Sequence, residues 1–173
     1  MSAPSRAATG KTTLNLSDLR GMSFEELDTL YRNAARPTAL SDLDGDGQGA
    51  MLAWRSPRSG PLAALLRTLG TSGSFPWKGK SFRATTKDAG EGINRIRLLG
   101  HRQWFPFGTR FDASFLDGKP TFVLDYGSRD NPPLIKQIVD EVREVGPGLY
   151  MGPAALKVGG RPRHILFFAV SFQ

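Results

Sequence analysis

Residues 109–126 read TRFDASFL, DGKP and TFVLDY in succession, residues 150–172 read YMGPAALKV, GGRP and RHILFFAVSF, and each segment is predicted to be a β-hairpin. Asp117-Gly118 and Gly159-Gly160 separate apolar segments, and these residue types accept the positive φ angles of tight hairpin turns. A sheet with large apolar residues on both faces must cover both, and closure into a barrel covers one of them. The hairpins therefore predict an antiparallel β-barrel.

The other predicted elements place the chain in the α+β class, mainly β, with about three helices flanking the barrel. The first helix begins after the N-cap Ser23, with Glu26 as its capping-box partner, and ends before Pro37. A second helix is predicted at residues 61–69. A third is predicted at residues 131–145, where apolar residues recur at helical spacing. Strands at residues 48–55, 75–85, 93–99 and 102–107 bring the total to seven or eight.

Composition excludes several kinds of site. The 173 residues contain no cysteine and two histidines, which excludes disulfides, thiolate metal sites and a zinc site of three imidazoles. Asp42, Asp44 and Asp46 resemble the start of a calcium-binding loop, but alanines occupy the later ligand positions, so no metal is expected. No cofactor motif is complete, and no cofactor is predicted.

Charge and hydropathy narrow the range of partners. The net charge is +7, from 23 basic and 16 acidic residues, but the basic residues are scattered singly, which disfavours a nucleic-acid-binding role. Residues 1–13 lack the apolar segment of a secretory signal, and no stretch is apolar enough to span a membrane, so we expect a cytoplasmic protein. Residues 1–21 are predicted to be a flexible tail, and residues 22–173 a single barrel domain.

Aromatic and charged residues near the predicted strands are candidates for a ligand site. Such residues either fill a barrel core or line a cavity, and small barrels of about eight strands can hold one small ligand. The candidates for ligand binding are Trp54, Trp77, Arg95, Trp104, Phe107, Asp125, Tyr126, Tyr150 and Phe168. The catalytic candidates are Asp125, His101 and Tyr126. If Asp125 points inward, an acid beside apolar strand residues can have a shifted pKa, and the alternative is that it accepts hydrogen bonds from Arg or backbone N–H groups at the strand end. His101 follows Gly100 in a predicted turn, and its functional role would be at the mouth of the barrel.

The order of several short segments resembles that of bacterial GXWXG-type proteins, which are small and lipocalin-like. The segments that carry the resemblance are Trp54-Arg55, Gly60-Pro61, Leu69-Gly70, Trp77-x-Gly79-Lys80-x-Phe82, Asp125-Tyr126, Tyr150-Met151-Gly152 and Phe167-Phe168. The Gly-x-Trp-x-Gly signature itself is not intact here. The resemblance implies a lipocalin-like barrel and brings no established activity.

Three functions follow from these expectations. The first is binding of a small hydrophobic molecule in the barrel interior. The second is a lipocalin-like enzyme, an isomerase, cyclase or dehydratase, that uses Asp125 or His101 as an acid or base. The third is a basic interaction module with a packed interior and no cavity. Fold class alone does not choose among them.

Overall fold

The chain forms a closed antiparallel barrel of eight strands. The computed structural model describes residues 13–55, 77–97, 101–128 and 130–173. Each strand pairs with the next along the chain, and the first pairs with the last to close the barrel. The strands are β1 (Gly45–Trp54), β2 (Trp77–Ala84), β3 (Ala89–Arg97), β4 (His101–Ala113), β5 (Pro120–Asp125), β6 (Ile138–Gly146), β7 (Leu149–Val158) and β8 (Arg161–Ser171).

Both predicted hairpin turns are confirmed. The turn between β4 and β5 has Gly118 at φ +72°, and the turn between β7 and β8 has Gly159 at +59° and Gly160 at +76°. Two consecutive positive φ angles are typical of the tight turn whose twist matches that of the flanking strands. The glycines therefore set the register of the last hairpin.

Helices pack on the outside of the barrel. The structure contains α1 (Leu16–Arg20) and α2 (Phe24–Asn33), and the capping box of Ser23 and Glu26 begins α2 as predicted. Helix α1 lies in the segment that was predicted to be a flexible tail, and its Leu19 is fully buried. The predicted helix at residues 61–69 lies outside the described residues. Among the described residues, no helix is both long enough and apolar enough to cross a membrane.

The predicted helix at residues 131–145 is wrong. A single 3₁₀ turn, Ile135–Gln137, is followed by strand β6. In a strand, Asp140 and Val142 share one face, while Val139, Glu141 and Arg143 share the other, and all five are buried. A strand that is buried on both faces loses the alternation of apolar and polar residues, so short apolar runs match helical spacing by coincidence. The predicted strands at 102–107 and 109–116 are likewise one strand, β4, interrupted by a bulge at Phe105, whose φ is +61°.

Outside the barrel, a polar clamp holds α2 against β6. Tyr31 of α2 donates a hydrogen bond to Glu141 Oε2 at 2.7 Å, and the guanidinium of Arg143 lies over the Tyr31 ring. Arg143 also forms two hydrogen bonds of 2.8 Å with the carboxylate of Asp117 in the β4–β5 turn. The clamp therefore ties the helix, a hairpin turn and a strand together.

The barrel interior is apolar and rich in aromatic rings. Its buried core includes Phe82, Phe107, Phe122, Leu124, Tyr126, Val142, Tyr150, Leu166, Phe168 and Val170. A 3₁₀ turn, Leu40–Leu43, precedes β1 and packs Leu40 and Leu43 against this core. Two nearby aspartates accept hydrogen bonds from the backbone of this region. Asp42 accepts from the Ala39 N–H at 2.8 Å, and Asp44 accepts from the Ala84 N–H at 2.6 Å.

Candidate functional site

Four polar side chains form a cluster among the apolar residues of the interior. Lys80, on β2, lies on the same strand face as Phe82, and Asn94, on β3, lies two residues from Gly92, which abuts Phe107. Asp140 shares a face of β6 with Val142, and Tyr126 follows β5 directly. Because side chains alternate along a strand, these positions bring the four residues together inside the barrel. We call Lys80, Asn94, Tyr126 and Asp140 the interior cluster.

Hydrogen bonds connect all four residues of the interior cluster. Lys80 Nζ donates to Asp140 Oδ2 at 2.9 Å, to Asn94 Oδ1 at 3.0 Å and to the Tyr126 hydroxyl at 2.5 Å. The Tyr126 hydroxyl donates to Asp140 Oδ2 at 3.1 Å and accepts from Asn94 Nδ2 at 3.0 Å. All four residues are buried, with Lys80 3% and Asp140 4% exposed. The cluster thus contains an ion pair, Lys80 with Asp140, that is buried away from water.

Aromatic rings surround the ammonium group of Lys80. Its Nζ lies 5.0 Å from the ring centre of Phe168, 5.2 Å from those of Phe107 and Tyr126, and 5.5 Å from that of Trp77. The faces of aromatic rings attract cations at these distances, and more strongly where water is excluded. The rings therefore offset part of the cost of burying the charge.

Burial and the ion pair with Asp140 change the pKa of Lys80 in opposite directions. Burial disfavours the ammonium form and lowers the pKa of Lys80 below its ordinary value, while the neighbouring Asp140 carboxylate partly restores it. Burial, together with the Asp140 charge, raises the pKa of Tyr126 well above its ordinary value. The Tyr126 hydroxyl therefore stays neutral and donates a hydrogen bond to the Asp140 carboxylate.

One polar atom of the cluster has no hydrogen-bond partner. Asp140 Oδ1 is buried and accepts no hydrogen bond from any described residue. A buried carboxylate oxygen without a partner is costly, and native structures contain few such atoms. This oxygen is the one place in the interior cluster where an additional hydrogen-bond donor would be stabilised.

Six of the residues predicted to bind a ligand do meet in the interior. Phe107, Tyr126, Tyr150 and Phe168 belong to the buried core, and Trp54 and Trp77 pack against it. The Trp77 indole N–H also donates to Asn94 Oδ1 at 3.0 Å, which joins one aromatic wall to the interior cluster.

The other predicted residues lie elsewhere. Trp104 is 40% exposed and is not part of the buried core. Arg95 is partly exposed and donates to the Gly47 carbonyl oxygen at 3.4 Å. His101 begins β4, where its backbone pairs with that of Arg97, and its side chain lies outside the described part of the chain.

Asp125 lies on the outer face in a network of surface contacts. Its carboxylate accepts from Arg110 at 3.2 Å and from the Gly127 N–H at 3.0 Å, and lies 3.8 Å from Lys157 Nζ. Partial burial raises its pKa, but the Gly127 N–H, Lys157 and Arg110 together hold that pKa below its ordinary value. This placement favours a surface ion pair over an acid or base acting in the interior.

Sequence reasoning missed Lys80, Asn94 and Asp140 as site residues. A signal for Lys80 was present, because the residue alternates with Phe82 along β2 and so falls on an apolar face. Asp140 was concealed by the wrong prediction of a helix at residues 131–145. Read as a strand, that segment places the carboxylate beside Val142 on the inward face.

A groove of about 620 Å³ is lined by residues of strands β2, β3 and β4, among them the core residues Phe82 and Phe107. Its walls include the outward-facing Ser81, Arg83 and Glu91, together with Ser128 and Asp130 of the loop after β5. Arg83 and Glu91 pair at 2.6 Å across it and are both well exposed. The groove thus combines exposed charged side chains with two rings of the buried core.

Comparison with known proteins identifies the fold alone. No family model matches the sequence, and a search of curated proteins returns no match. A solved structure of a protein from Thermomonospora curvata is similar, with a TM-score of 0.55, 18% sequence identity and coverage of 88% of each chain. At this level of identity, the chain shares a β-barrel architecture with that protein.

Proposed function

We propose that the barrel binds a small, largely apolar molecule in its interior, at the end where β1 finishes and β2 begins. Trp54 and Trp77 lie at that end, and the ring centre of Phe168 in the core lies 6.0 Å from that of Trp77. The observation that carries the proposal is the Lys80–Asp140 pair inside this aromatic interior, where Asp140 Oδ1 has no hydrogen-bond partner among the residues that the structure describes. Ligand pockets typically combine apolar walls with a few fixed polar groups.

Stability alone does not account for the interior cluster. Moving two charges out of water costs several kcal/mol for each ion, and apolar residues of similar volume often serve a core equally well or better. A core that only had to be stable would therefore not need Lys80 and Asp140 in its centre. A fixed polar group in an apolar interior would, however, orient one end of a bound molecule.

The proposal extends to a lipocalin-like mode of binding. Eight-stranded antiparallel barrels are of a size that holds one small ligand. The resemblance to GXWXG-type proteins agrees with this, since Trp77, Lys80 and Phe82 of the resembling segment all lie in the interior. The groove lined by β2, β3 and β4 is a different surface, so the experiment must distinguish binding there from binding in the interior.

A brominated alkane tests the location of binding, because bromine quenches indole fluorescence only at contact. We expect bromohexane to quench tryptophan fluorescence saturably, and Trp77→Phe to remove much of the saturable part. The matched control is Trp104→Phe, which changes a ring that is 40% exposed and lies outside the buried core, and it should leave the saturable part intact. Quenching that never saturates would contradict the proposal. So would saturable quenching that disappears in Trp104→Phe and persists in Trp77→Phe.

A further inference from the structure

The hydrogen-bond inventory of the interior cluster specifies the polar end of the ligand. We propose that the ligand is electrically neutral and carries a hydroxyl group that donates to Asp140 Oδ1. This inference rests on the proposed function, because it names the class of molecule that the interior would take. It follows from which donors and acceptors are already used and from the net charge of the cluster.

The donors of the cluster are all occupied. An ammonium group has three N–H bonds, and those of Lys80 point to Asp140, Asn94 and Tyr126. Both N–H bonds of the Asn94 amide are used, one toward Tyr126 and one toward the Phe105 carbonyl oxygen at 3.2 Å. The Tyr126 proton goes to Asp140. An incoming group that only accepts hydrogen bonds would therefore find no donor among these residues.

The acceptors are occupied too, with one exception. Asn94 Oδ1 accepts from Lys80 and from the Trp77 indole, and the Tyr126 oxygen accepts from Lys80 and Asn94. Asp140 Oδ2 accepts from Lys80 and Tyr126. Only Asp140 Oδ1 is left without a partner among the described residues. This unpaired oxygen requires a donor, and a hydroxyl group is a donor that fits an apolar molecule.

The net charge of the interior cluster indicates that the ligand is uncharged. Lys80 and Asp140 neutralise each other, so the interior cluster carries no net charge. A carboxylate ligand would add an unbalanced negative charge next to the Asp140 carboxylate, and an ammonium ligand would add an unbalanced positive charge near Lys80. Burying an uncompensated charge is far more costly than burying a hydrogen-bonded hydroxyl group. The cluster therefore favours a neutral alcohol over an acid or an amine of equal length.

Three ligands of the same size test this inference by competition with bromohexane at pH 7. Octanol carries the hydroxyl group, its isomer heptyl methyl ether carries an acceptor only, and octanoate carries the charge. Hydrogen bonds to charged groups are strong enough that we expect octanol to bind about tenfold more tightly than the ether. Octanoate should bind more weakly than octanol. In Asp140→Asn the preference for octanol over the ether should fall, whereas Asp112→Asn, an exposed change on β4, should preserve it.

The outcomes separate this inference from the function on which it rests. If octanol binds no more tightly than the ether, a water molecule already satisfies Asp140 Oδ1 or the ligand does not reach it, and the inference is overturned. Octanoate binding as tightly as octanol would overturn it as well. In both cases saturable quenching by bromohexane would leave the interior site standing. If no probe quenches saturably, the proposed function itself fails. The comparison of ligands uses the unaltered protein, so it decides even if Asp140→Asn does not fold.

Discussion

Replacing Lys80 with methionine should be among the most destabilising single changes in the barrel. Methionine fills a similar volume but removes an ammonium group that makes three hydrogen bonds and pairs with Asp140 at 2.9 Å. The Asp140 carboxylate, 4% exposed, would keep only the hydrogen bond from Tyr126. Removing one partner of a buried ion pair costs about 3–5 kcal/mol, because the other charge is left uncompensated. We expect Lys80→Met to lower the free energy of unfolding by that amount.

Urea unfolding followed by tryptophan fluorescence at pH 7 measures this loss. Small proteins lose about 1–3 kcal/mol of stability per molar urea, so the midpoint should fall by at least about 1 M. Lys157→Met is the matched control, since Lys157 also faces an aspartate, at 3.8 Å, but both side chains are 30% exposed. Exposed pairs contribute about 0–1 kcal/mol, so the control should shift the midpoint little.

A double variant separates the charge pair from the methionine side chain. Lys80→Met combined with Asp140→Asn removes both charges and keeps an oxygen that can accept from the Tyr126 hydroxyl. We expect the double variant to recover most of the stability that Lys80→Met loses, with a coupling energy above about 2 kcal/mol. If Lys80→Met costs no more than Lys157→Met, the ammonium group is not buried against the carboxylate, and the reasoning is refuted.

Two further predictions concern the outer clamp and the glycines. Arg143 holds the pKa of Asp117 down to about 2 from an ordinary value of 3.8, so the stability from this pair is fully present above pH 3.8 and is lost as the pH falls toward 2. Urea midpoints measured from pH 5 to 2 should fall more steeply in the wild type than in Asp117→Asn, and equal slopes would contradict the pairing. Gly152→Ala should cost more than about 3 kcal/mol in urea unfolding, because its Cβ would overlap the Glu141 carbonyl oxygen. Gly159→Ala has open space and strains only a positive φ, so about 1 kcal/mol is expected, and equal losses would show that the close approach is not present.

The hairpins were predictable because their signals are local. Gly118, Gly159 and Gly160 mark turns through backbone conformations that other residues adopt only with strain, and Ser23 with Glu26 marks the start of α2 by hydrogen bonds three residues apart. Strand β6 was not predictable in the same way. Its two faces are buried by different partners, the barrel core on one side and the clamp with α2 on the other, and neither partner is adjacent in sequence.

The site was predictable in its apolar part and not in its polar part. Aromatic residues on strands of a barrel pack inside it for reasons of size and hydrophobicity, so the interior positions of Trp77, Phe107 and Phe168 follow from pattern. Lys80 and Asp140, by contrast, are of types almost never fully buried unless paired. Their burial depends on each other across 60 residues of sequence, which no local pattern records.

If the interior binds the ligand that we propose, the polar end of that ligand would meet a carboxylate rather than a lysine. Lys80 commits its three N–H bonds to Asp140, Asn94 and Tyr126, so its ammonium group serves to hold the Asp140 carboxylate in place. Tyr126 contacts the same oxygen, Oδ2. Because its pKa is raised, its hydroxyl remains protonated and donates a hydrogen bond there. Both partners contact the same carboxylate oxygen, and the other has no hydrogen-bond partner in the described part of the chain. A single fixed acceptor among aromatic rings discriminates by hydrogen-bond donation, and such a site rejects an otherwise identical molecule without the donor, because its buried oxygen would then stay unpaired.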